Sequence, residues 1–171
     1  MTDRADDADL QARLGRPPIG GDAEDSAEWS EEPVPDSRRG ARQVALQALY
    51  GEATVQGTAT GAVDGLAAAA GLSEAHGTFA RQLVTEAVRH LDELDELIGQ
   101  AASGWRRERI ARVDGSILRL ALAEVLYFDS IPVPVSIDEA VELARLYGGD
   151  QSYAFVNGVL DGAVRRRGLA T

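Results

Sequence analysis

Cysteine is absent from the 171 residues, and so is lysine: all 17 basic residues are arginine. The first absence excludes disulfides, thiol catalysis and cysteine-ligated metals. The second, beside abundant alanine, points to a G+C-rich genome rather than to a need for guanidinium chemistry. Histidine occurs only as His76 and His90, with no carboxylate–histidine spacing that suggests a metal site. No apolar run approaches ~20 residues and no apolar leader opens the chain, so a soluble cytoplasmic protein with no membrane contact is expected. The catalytic motifs G-x-S-x-G, Walker A and G-x-G-x-x-G are missing, and Gly148-Gly149 falls between helical patterns where a dinucleotide fold needs a strand. Asp92, Glu93, Asp95 and Glu96 spread around more than one helix face and read as solvated surface. No catalytic residue, metal site or cofactor is expected, and the chain reads as a non-enzyme.

The net charge of −11 argues against nucleic acid only until its distribution is read. Residues 1–37 carry eleven acids against three arginines, a balance of −8, while residues 38–171 carry 17 acids against 14 arginines, a balance of −3. The acidic stretch also holds Pro17-Pro18, Gly20-Gly21 and Pro33-x-Pro35 with few apolar anchors, the composition of a disordered extension. It either solubilises the chain or folds back over the arginines that follow it. Trp29 within it is a candidate docking residue or simply a solvated one. The body is near neutral, so local arginine clusters dominate its field.

Residues 38–167 read as helices joined by loops, with the Gly/Thr-rich stretch 54–61 one of the loops. Ser37 is placed to cap a helix reaching about Ala53, with Ala41, Val44, Ala45, Ala48 and Leu49 inward. A short alanine-rich helix over 62–70 stops at Gly71. Ser73 opens a long pattern through Phe79, Leu83, Val84, Val88, Leu91, Leu94 and Ile98 to about Ala102. Gly104-Trp105 is expected to start a further short helix with Trp105 in the core. Ile117, Leu118, Ala121, Leu122 and Val125 mark the next stripe, stopped by Ile131-Pro132-Val133-Pro134-Val135. Ser136-x-x-Glu139 has the form of a capping box, and Gly148-Gly149 of a left-handed helix end. A last helix, capped by Asp150 or Ser152, carries Phe155, Val156, Val159, Leu160 and Ala163. The expected fold is all-α, a compact bundle of about seven helices, with residues 168–171 as a flexible end.

Arg38, Arg39 and Arg42 sit at the wrong end of their helix. Cations there oppose the macrodipole by some 0.3–1 kcal/mol each, whereas a bound phosphate reverses the sign. Pairing with the acidic stretch before them is the competing explanation. Arg38 and Arg42 share a face, with Arg39 and Gln43 beside them. The segment Tyr147-Gly148-Gly149-Asp150-Gln151-Ser152-Tyr153 is a natural complement, because single-stranded RNA is read by aromatic stacking and by hydrogen bonds to splayed bases. Tyr147 and Phe155 are the candidate stacking residues, and Gln151, Ser152 and backbone N–H groups near Gly148 the candidate donors. A plain interhelical turn with both aromatics in the core is the alternative.

Two ordered blocks carry a family resemblance. The first is Arg38-Arg39-Gly40-Ala41-Arg42-Gln43-Val44-Ala45-Leu46-Gln47-Ala48-Leu49-Tyr50. The second runs through Val113-Asp114, Ile117-Leu118-Arg119-Leu120-Ala121, Glu124, Ile131-Pro132-Val133, Ser136-Ile137-Asp138-Glu139-Ala140, Glu142-Leu143-Ala144 and Phe155-Val156-Asn157-Gly158-Val159-Leu160-Asp161. Residues 38–167 thereby resemble the bacterial transcription antitermination factor NusB. The resemblance implies two packed three-helix groups. It also implies binding of boxA RNA from ribosomal RNA leaders through the arginine-rich first helix and the 147–153 segment. The implied partners are a small-subunit ribosomal protein acting as NusE and the RNA polymerase antitermination complex. Glu108 and Asp114 match acidic positions of the partner surface. Gly40 stands where the family commonly has a basic residue, and Gly115 replaces a usual Arg or Lys. Rival readings are a protein-only adaptor, a homodimer that hides its RNA face, or a module linked to ribosomal RNA methylation. The last needs a cofactor domain and a cysteine that this chain lacks.

Overall fold

The computed structural model describes residues 32–52, 56–105 and 110–169. Most of the acidic extension, including Trp29, lies outside the described residues. Seven helices and no β-strand occur among the described residues: α1 (Arg38–Glu52), α2 (Ala59–Ala69), α3 (Glu74–Arg89), α4 (Leu91–Ala102), α5 (Arg112–Tyr127), α6 (Val133–Tyr147) and α7 (Ser152–Arg166). The apolar stripes face inward. Ala41, Val44, Ala45, Ala48 and Leu49 of α1 are buried, as are Ile117, Leu118 and Leu122 of α5 and Phe155, Val156, Val159 and Leu160 of α7.

Residues 74–102 are two helices rather than one. His90 leaves helical geometry at φ −113°, ψ 21°, and its ring stacks on Tyr127 with centroids 4.1 Å apart. Asp92 and Glu93 then fall in the first turn of α4, where negative charge suits the helix dipole. The break sends α4 away from its predecessor. Helices α1, α2 and α3 pack on one another, whereas α4 joins α5, α6 and α7. The helices therefore fall into two packed groups, and α5 contacts both α1 and α3 across the seam. Arg119 of α5 reinforces the second group, donating from Nε and Nη2 to the two oxygens of Asp95 at 2.6 and 2.8 Å.

Four local expectations change. Helix α6 begins at Val133, with Pro132 at its N-cap. Proline fits a first turn because the missing N–H has no intrahelical partner there, so Ser136 and Glu139 lie inside the helix and make no capping box. Gly148 is extended at φ −91°, ψ 176° rather than left-handed. Glycine is needed there for space, since a Cβ would stand 2.4 Å from that of Ser152 and 2.7 Å from the Ala144 carbonyl oxygen. Neither Asp150 nor Ser152 caps α7; Gln151 holds the N-cap position without a side-chain bond. Residues 103–105 form a turn and Trp105 is 38% exposed rather than in the core, while residues 106–109, over which the expected short helix would run, lie outside the described residues. The Trp105 ring packs perpendicular to that of Phe155 with centroids 5.3 Å apart, and Gly158 leaves room beside the indole.

Candidate nucleic-acid interface

The start of α1 is held by the residues just before it. The Gly40 N–H donates to Ser37 Oγ at 3.1 Å, so Ser37 caps the helix as its position predicts. Asp36 accepts from the Ser73 N–H at 2.9 Å and meets His76 Nδ1 at 2.6 Å. These bonds fasten the chain before α1 to the start of α3, and they hold the Asp36 carboxyl below its ordinary range, the Ser73 N–H most of all. The Pro35 carbonyl consequently lies over Gly40, where a Cβ would approach its oxygen to 1.8 Å. No side chain, basic or otherwise, fits at that position. The glycine is explained by this chain's own strap.

The three arginines diverge. Arg38 is exposed, its guanidinium 5.1 Å from the centroid of Phe79. Arg39 is also exposed and donates from Nε and Nη2 to the carboxylate of Glu139 on α6 at 3.1 and 2.9 Å. That contact holds the Glu139 carboxyl below its ordinary range and raises the guanidinium in turn. Arg42 is only 6% exposed. Its Nε donates to Glu124 Oε1 at 2.7 Å and its Nη2 to Oε2 at 3.2 Å. Glu139 Oε2 is 3.8 Å from Arg42 Nη1, and the Ser136 hydroxyl donates to Glu124. The two residues of the expected capping box thus serve this network instead. Arg42 is committed inside the protein, where it fixes α1 against α5 and α6. Gln43 is half-buried beside it.

The 147–153 segment turns its expected aromatics inward. Tyr147 is buried, and burial pushes its hydroxyl above the ordinary tyrosine range. Phe155 is fully buried against Trp105. Ser152 is buried beneath the half-buried Gly148, while Gln151 is exposed. The exposed aromatic of the segment is Tyr153, which helical spacing signalled, two positions before buried Phe155 and one after buried Ser152. Of the acidic pair assigned to a protein partner, Asp114 is fully buried at the start of α5, and Glu108 lies outside the described residues.

Among the described residues no group of His, Cys, Asp and Glu is placed to hold a metal ion. No helix among them is long and apolar enough to cross a membrane. The fold and this surface define a small all-helical protein whose first helix opens on two exposed arginines. The NusB family model matches residues 39–165, and the chain belongs to the NusB family, which is not a family of enzymes.

The transcription antitermination protein NusB of Dehalococcoides mccartyi is 40% identical over 124 residues, 72% of this chain and 87% of that protein. NusB of T. maritima has a TM-score of 0.66 at 29% identity, covering 75% of this chain and 91% of the other. A solved structure of antitermination factors NusB and NusE in complex with dsRNA has a TM-score of 0.67 at 27% identity, covering 75% and 96% respectively.

Proposed function

We propose that the protein binds boxA-type single-stranded RNA of ribosomal RNA leaders together with a small ribosomal protein acting as NusE, and joins the transcribing polymerase as an antitermination factor. The observation that carries this reading is the exposure of Arg38 and Arg39 side by side at the start of α1. An exposed guanidinium fork matches a phosphate in charge and geometry. Glu139 occupies the Arg39 fork, so a phosphate binding there exchanges with the protein's own carboxylate. From Glu139, helix α6 continues to Tyr147 and the 148–151 turn, where Gln151 offers an amide to base edges. Arg42 acts through Glu124 and Glu139 as a positioning residue. The solved complex of a NusB with NusE and RNA supports the partner classes.

A mobility-shift assay with a boxA-type oligoribonucleotide and a scrambled one, with and without the ribosomal protein, tests the proposal. Preferential binding of boxA, strengthened by the ribosomal protein, is expected. Equal binding of both RNAs in both conditions overturns it.

A further inference from the structure

Leu146 and Tyr153 are 49% and 39% exposed at the corner where α6 passes into α7. Beside them the guanidinium of Arg145 lies 4.6 Å from the centre of the Tyr153 ring. Glu142 steadies that guanidinium from one turn earlier, Oε1 to Nε at 3.5 Å, and both of these side chains are about half exposed at 53% and 49%. The result is a flat cation resting on an aromatic ring at the surface, held from two sides. Folding gives no reason for it: the core closes over Tyr147 and Phe155 without it, and an exposed pair of this kind contributes little to stability.

We propose that Arg145 and Tyr153 form a stacking platform for one unpaired nucleobase of the bound RNA, a contact that rests on the RNA-binding reading above. Bases stack on tyrosine rings and equally on guanidinium planes. Charge decides which part of the nucleotide sits here. Glu142 and Asp150 are exposed three residues from Arg145 and from Tyr153 respectively, so a phosphodiester is repelled where an uncharged base is not. Position supports the same occupant. Glu142 already acts on Arg39 electrostatically, and Arg145 follows it by three residues on α6, so the platform continues the line from the arginine start of α1. Some 9 Å of helix separates Glu139 from Arg145, at 1.5 Å per residue. A strand with its phosphate at Arg39 thus reaches the platform with a nearby base. The buried Tyr147 and Phe155 are thereby replaced in the stacking role by a residue two positions away from one of them.

The test uses the full chain with the ribosomal protein and a boxA-type oligoribonucleotide, alongside copies made abasic at one position at a time. Tyr153→Ala should weaken binding about 5- to 150-fold, the loss of one stacked base, and Tyr153→Phe should retain affinity. One abasic position should weaken the unsubstituted protein by a similar factor and leave Tyr153→Ala unaffected. Unchanged RNA affinity in Tyr153→Ala, while Arg39→Ala still weakens it, overturns the platform and leaves the RNA reading standing. Loss of the ribosomal protein but not of RNA in Tyr153→Ala assigns the corner to a protein partner and also overturns the platform. Failure of the unsubstituted complex to bind RNA at all overturns the underlying reading and the platform with it.

Discussion

Arg42 and Glu124 meet in a two-point ion pair 82 residues apart in the chain, and solvent reaches only 7% and 3% of their side chains. The pair joins the first helix to the fifth, and the Ser136 hydroxyl and the Glu139 carboxylate complete its surroundings. A buried pair of this kind is weak support for stability as a whole, but breaking it leaves a desolvated charge behind.

Arg42→Ala should therefore destabilise the fold by about 3–5 kcal/mol, read as a lowered midpoint in denaturant. Replacing both partners with apolar residues of similar volume should recover much of the loss. A single substitution that leaves the midpoint unchanged would show that the pair is not buried in solution.

Glu139→Gln acts on the surface end of the same network. The amide no longer neutralises Arg39, so the guanidinium stands ready for phosphate. RNA binding should tighten several-fold, most at low salt where surface charges are least screened. Weaker binding in a folded Glu139→Gln protein, measured by titration at two ionic strengths, would mean that Glu139 assists RNA rather than competing with it.

The Tyr127 hydroxyl donates to Glu93 at 2.6 Å. Burial first, and then that carboxylate, pushes its pKa up to about 12 from an ordinary 10.0. The folded state favours the protonated phenol, so the stability this group contributes is complete below pH 10 and is lost as pH rises toward 12. Phenolate absorbance should show late-titrating tyrosines, buried Tyr147 among them, and Tyr127→Phe should remove one component of that late titration. A Tyr127→Phe protein with the same late titration would assign it elsewhere.

The helices were legible because each apolar stripe meets its neighbours at local spacing. Ala41, Val44, Ala45, Ala48 and Leu49 are buried as that spacing implies. The side chains that depend on distant partners were not. Arg42 shares a face with Arg38 by sequence, yet Glu124 draws it inward. Ser136 and Glu139 have the local form of a cap, yet α5 and α1 recruit their side chains, and proline starts the helix one turn earlier. His90 breaks a continuous apolar pattern with no glycine or proline to announce it. For the candidate site the outcome is mixed: Arg38, Arg39 and Gln151 are exposed as an RNA surface needs. Burial of Tyr147 follows from packing against elements that the 147–153 segment does not reveal.

The salt dependence of RNA binding in Arg39→Ala tests the arginine surface most directly. Each phosphate contact on a single strand adds roughly −0.7 to the slope of log affinity against log salt. Arg39 is exposed, so its removal should leave the fold within ~0.5 kcal/mol of the parent. The slope should flatten by about 0.7, with boxA-type and scrambled RNA weakened alike, because phosphate contacts position without specifying. An unchanged slope in a folded Arg39→Ala protein would contradict a phosphate at this helix start.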